Sequence, residues 1–82
     1  MVIIMNLPIP LEYKTSMCEV RSKKNELLSK GEIFEIDEDF VSVIARTGDE
    51  LKIVKDGQPV RLNISGGKLG FAILVGIVSG SS

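Results

Sequence analysis

Hydrophobic residues in this chain tend to recur at every second position, in short runs separated by turn-forming residues. Residues 60–64 are the clearest case: Val60, Leu62 and Ile64 point one way, Arg61 and Asn63 the other. That period belongs to a strand with one buried face. Residues 40–46 are rich in β-branched side chains and read as a second strand. Residues 32–36 form another, with Phe34 and Ile36 expected on one face and Ile33 and Glu35 on the other. Residues 13–21 and 50–54 read as further short strands. The last runs from Leu69 to about Val78. Leu69, Phe71, Ile73, Val75 and Ile77 lie on one of its faces, and Ala72, Leu74, Gly76 and Val78 on the other. Because both faces are apolar, this strand needs two covers.

Turn signals divide these runs. Asp37, Glu38 and Asp39 make an acidic turn, Thr47-Gly48-Asp49 makes another, and Asp56-Gly57 is a strong hairpin signal. Pro59 marks the start of a strand, because it cannot donate from a central ladder position. Ser65 to Lys68 form a loop. Residues 22–30 admit two readings. Ser22 suits the N-cap of a short helix that Gly31 would end, and a polar β-hairpin arm competes with it. A helix this short is marginal alone. Residues 1–12 are expected to be an N-terminal arm or a short edge strand, bent at Pro8 and Pro10, with residues 13–82 forming a single small β domain.

The predicted fold is therefore all-β: a small antiparallel split β-barrel of five or six strands, with one short helix if residues 22–30 coil. An α+β arrangement with that helix is the alternative. Closure would remove exposed strand edges. Gly76 suits a bend at a barrel corner.

Composition narrows the function more than the fold. With 82 residues there is one domain and a thin core. The hydrophobic content of 44% is that of a globular chain, and aromatics are few. The three phenylalanines are expected in the core, which leaves Tyr13 as the ring with an exposed role. Ten basic residues against eleven acidic give a net charge of -1, which argues against nonspecific binding to nucleic acid. Cys18 is the only cysteine, so no disulfide forms within the chain; a reducing, cytoplasmic location is expected. No run approaches the roughly 20 apolar residues of a spanning helix, and no membrane partner is expected.

The chain has no histidine. That removes the commonest neutral-pH acid–base group, any histidine-dependent nucleophilic system and, with one cysteine, a zinc cluster. No enzyme activity, metal or cofactor is expected. The stretch Glu35, Asp37, Glu38, Asp39 lacks the glycine and spacing of a calcium loop; a solvated turn explains it. Residues 65–70 superficially resemble a phosphate loop, but Leu69 stands where a hydroxyl residue is required and a strand follows instead of a helix. Arg61, Asn63, Ser65 and Lys68 remain as candidate ligand-binding residues. Lys52, Lys55, Arg61 and Lys68 are the set a single-stranded nucleic acid would need.

Residues 31–81 carry a family resemblance. A strand, a turn and a second strand lead to Asp56-Gly57-Gln58-Pro59-Val60-Arg61-Leu62, then to Leu69-Gly70-Phe71 and Ile73 to Val78. This order resembles the N-terminal accessory barrel found before PilZ domains in flagellar-brake-like bacterial proteins. The resemblance implies a noncatalytic interaction or regulatory module beside a domain that binds cyclic di-GMP. The paired-arginine signature of the PilZ domain itself is absent: Arg21, Arg46 and Arg61 are isolated. Asn63-Ile64-Ser65 resembles the start of its second signature, but Lys68 occupies the glycine position. The expected partner is another domain or subunit packed on the last strand, a second copy included, with Ala72, Leu74 and Val78 as the interface. A small-ligand or single-stranded nucleic-acid binding barrel is the alternative.

Overall fold

The computed structural model describes residues 1–5, 9–45, 54–65 and 69–79. Six antiparallel strands form a closed barrel: β1 (Val2–Met5), β2 (Met17–Ser22), β3 (Leu27–Ile36), β4 (Phe40–Ala45), β5 (Pro59–Ser65) and β6 (Ala72–Val78). Around the ring the order is β1-β4-β3-β2-β5-β6. Strands β2, β3 and β4 follow one another as neighbours and β5 returns beside β2, which is Greek-key connectivity. The predicted fold class is the observed one. The expected strand at 50–54 lies outside the described residues except for Val54. No helix among the described residues is long and apolar enough to cross a membrane.

The first strand is not at an edge. β1 pairs with β4 through Ile3↔Val41 and with β6 through Ile3↔Val78, so it closes the ring. Part of the segment that precedes β2 also belongs to the core. Ile9 and Tyr13, the latter ending a single 3₁₀ turn (Leu11–Tyr13), are both buried. Tyr13 is therefore core, and the strand expected from residue 13 begins at Met17.

Residues 22–30 are a hairpin. Asn25 donates its backbone N–H to the Ser22 carbonyl at 2.9 Å and adopts φ 67°. Asparagine tolerates that left-handed conformation. The Ser22 hydroxyl, expected to cap a helix, accepts from the backbone N–H of Lys24 and of Glu26 at 3.2 and 3.1 Å. The same side-chain chemistry thus closes a turn, and Leu28 is buried as part of a strand instead of a helix face.

β3 carries both irregularities of the ladder. Against β2 the register steps from Val20↔Ser29 to Arg21↔Leu27, which leaves Leu28 as an extra residue. Against β4 it steps from Ile33↔Val43 to Glu35↔Ser42, which leaves Phe34 extra. Bulges of this kind bend a strand and raise its twist, as a small barrel requires. The second bulge also breaks the alternation. Phe34 and Glu35 both face solvent, while Ile33 is fully buried and Ile36 half-buried. The expected pairing of Phe34 with Ile36 on one face is corrected by that one-residue insertion.

The barrel interior is filled mainly by aliphatic side chains. Ile3, Val20, Ile33, Val41, Val60, Leu62, Ile64 and Val78 are the largest that are completely enclosed. Phe34 and Phe71 are outside and Phe40 is half-buried, so the phenylalanines do not build this core. Gly31 sits where β3 approaches β4 closely. A Cβ there would collide with the Ile44 carbonyl oxygen and stand 3.0 Å from Val43 Cγ1. At Gly76 an added Cβ would lie 2.6 Å from Ile3 Cγ2 and 2.7 Å from the Ile4 carbonyl oxygen.

Two stability predictions result. Gly31→Ala is expected to cost roughly 2–3 kcal/mol, because the clash is with backbone that cannot rotate away; chemical denaturation measures it. Ser29 is buried and its Oγ has no hydrogen-bond partner. Removing an unsatisfied buried hydroxyl relieves its desolvation cost, so Ser29→Ala should raise the thermal midpoint, by up to about 1 kcal/mol of added stability.

Candidate functional site

β5 alternates strictly: Val60, Leu62 and Ile64 point into the barrel, and Arg61, Asn63 and Ser65 point out. Three of the four candidate ligand residues therefore share one outer face. Lys68, the fourth, lies outside the described residues, as do Lys52 and most of the glycine-containing loop. Arg61 stands opposite Arg21 on β2, Asn63 opposite Glu19, and Ser65 opposite Met17.

The two arginines do not form a cationic pair available to an anion. Arg21 is committed to Glu19, with Nε to Oε1 at 3.2 Å and a second guanidinium nitrogen at 3.1 Å. A further guanidinium nitrogen donates to the Asn25 carbonyl at 3.0 Å. Its charge is compensated locally, and Arg61 is exposed with no such carboxylate among the described residues. Next to this row, Met17, Glu19, Lys30, Asn63, Ser65 and Phe71 line an open depression of about 170 Å³. Within it the Asn63 Oδ1 is sealed from solvent and accepts no hydrogen bond. The depression offers one ammonium, one paired carboxylate, an amide and a hydroxyl. None of these is an activated nucleophile. Among the described residues no three His, Cys, Asp or Glu side chains gather closely enough to hold a metal ion. The acidic turn between β3 and β4 is exposed, and Asp37 Oδ1 accepts from the backbone N–H of Glu38 at 2.7 Å.

Cys18 is enclosed in the core. Burial pushes its thiol up from the ordinary 9.0 to about 12, and the neighbouring Glu19 and Glu32 carboxylates add to the shift. A thiol held so far from ionisation is a hydrophobic core group, since the thiolate is the reactive species.

β6 presents the most distinctive surface. Its inward positions are Ala72 and Leu74, both half-buried, and Gly76 and Val78, both buried; Val78 is only 1% exposed. The expected interface of Ala72, Leu74 and Val78 is thus the core side of the strand. Periodicity grouped the two faces correctly but did not say which one looks inward. The outward face is Phe71, Ile73, Val75 and Ile77, exposed by 65, 58, 56 and 48%. Ile4 of β1, itself 45% exposed, stands opposite Ile77 and also opposite Phe40 of β4. The result is a stripe running along β6 and turning across β1. Along its other side, β5 sets Pro59, Arg61 and Asn63 opposite Ile77, Val75 and Ile73.

Comparison with protein-family models, curated proteins and solved structures finds no match to this chain.

The buried thiol gives a linked prediction. In the unfolded chain Cys18 ionises near 9.0, whereas the folded chain keeps the proton up to about 12. Its contribution to stability is complete below pH 9 and is lost as pH rises toward 12. Denaturation midpoints should fall across that window, and less so for Cys18→Ala. At pH 8 a disulfide reagent should label native protein at least about 100-fold more slowly than unfolded protein.

Proposed function

We propose that this barrel is a noncatalytic docking module whose working surface is the outward face of β6 with Ile4. The supporting observation is the unbroken row Phe71, Ile73, Val75 and Ile77, each about half or more open to water on a chain with few large side chains to spare. Five such residues expose on the order of 500 Å² of apolar area, counting roughly 150–250 Å² for a whole aromatic side chain and less for an aliphatic one. Monomeric proteins rarely leave a contiguous apolar patch of that size without a use for it. Covering it is favourable at about 25 cal/mol per Å² before the costs of association are met.

The resemblance to accessory barrels of PilZ-containing proteins supports the same class of role. In that setting the chain transmits or positions, and a companion domain holds the nucleotide. Titration of this chain with cyclic di-GMP should give no saturable heat; micromolar binding that Arg61→Ala abolishes would replace the docking reading with a ligand-binding one.

Substitution of the stripe tests the proposal directly. Ile73→Lys is expected to fold, with stability within about 0.5 kcal/mol of the parent, as for a surface position. In protein dilute enough to be monomeric, it should also lose much of the dye fluorescence that an apolar surface induces in anilinonaphthalene sulfonate. If Ile73→Lys instead unfolds the barrel, the stripe is core and the docking role is wrong.

A further inference from the structure

We infer that the occupant of the stripe is a second copy of this chain, packed face to face about a two-fold axis passing near the middle of β6. The inference rests on the docking reading and adds the identity of the partner. Each of the six described strands is paired on both sides, so the barrel offers no free strand edge among them for strand addition. Association must proceed through side chains on an outer face. Along β6 that face has no charged position from Phe71 to Ile77, and Ile4 extends it without adding one. The nearest charge on β5 is Arg61, opposite Val75, and it borders the face without interrupting it. A second stripe matches the first in length and polarity, and a two-fold contact makes each surface its own complement.

Charge and area point the same way. A net charge of -1 sets almost no long-range repulsion between copies. About 500 Å² from each stripe gives a total near 1,000 Å², close to the lower bound for a specific interface. Pro59, Arg61, Asn63 and half-buried Phe40 border the stripe and would form its rim. Ile73 and Val75 are the central outward positions, so a group placed at either one lies next to its counterpart across the axis.

Sedimentation equilibrium from micromolar to millimolar protein provides the test. The wild-type chain should approach twice its 8.9 kDa mass. Val75→Lys and Val75→Glu should each raise the dissociation constant at least about tenfold, the effect expected for a central apolar position. An equimolar mixture of the two should recover a dimer, since opposite charges then meet across the axis. Val75→Cys supplies a milder variant. Wild-type Cys18 is enclosed, so mild oxidation should crosslink only the substituted chain. A wild-type mass that stays at 8.9 kDa throughout would overturn the second-copy assignment. So would a dimer that Val75→Lys leaves intact. If the wild type stays monomeric while Ile73→Lys folds and sheds dye, the docking surface stands and only its occupant is wrong.

Discussion

Hydrogen bonding of β1 on both of its sides turns a curled sheet into a ring, and the remaining features follow from that closure. Four residues, Val2 to Met5, join β4 to β6. The backbone of Ser79 adds a bond to the Val2 carbonyl at 2.8 Å, and Val43 adds one to the Met1 carbonyl, also at 2.8 Å. A barrel has one inside, and each strand can give it only alternate side chains. With six short strands the inside is narrow. Aliphatic side chains occupy it, and Gly31 and Gly76 lie where an added Cβ would strike the neighbouring strand.

Closure does not by itself account for the greasy exterior of β6. Any strand in the ring has its outer face turned to water unless another layer covers it. On β5 that face bears Arg61, Asn63 and Ser65, and on β2 it bears Glu19 and Arg21. On β6 it bears three large apolar groups, Ile73, Val75 and Ile77, with Phe71 just before the strand as a fourth. The ring geometry is the same for all three strands, so this difference comes from the side chains alone. That contrast, rather than any pocket, marks the surface on which the functional proposals rest.

Much of the architecture was legible in the chain. Strict alternation located β5 and sorted its inner and outer residues, and Pro59 marked its start. The opposition of two faces on β6 was also readable. Three things were not. Which face of β6 is inner depends on its pairing with Gly76↔Met5 and Val78↔Ile3, contacts between opposite ends of the chain. Local pattern carries no such information. The facing of Phe34 depends on a bulge, and an inserted residue leaves no mark in the period except a misfit. The hairpin at residues 22–30 uses Ser22 in a way that a helix cap also would, so tertiary pairing with β5 and β4 decides between them. Among the candidate ligand residues, Arg61 and Asn63 were correctly placed on a shared face, whereas Ser65, expected in the loop, is the last residue of β5 and joins them there. The commitment of Arg21 to Glu19 was not read, although a two-residue spacing on one strand sets the pair on a common face.

The two bulges of β3 have a consequence for how the ring resists slippage. A regular strand can slide by two residues against its neighbour and still keep every side chain on its proper side. In a closed ring such a step would alter the stagger and with it the width of the interior. Leu28 interrupts the ladder toward β2 and Phe34 interrupts it toward β4, at different heights on one strand. A slide on either flank would carry an odd residue into a straight stretch that has no room for it. The two misfits thus act as opposed ratchet teeth on the two flanks of β3, holding two of the ring's six seams in step.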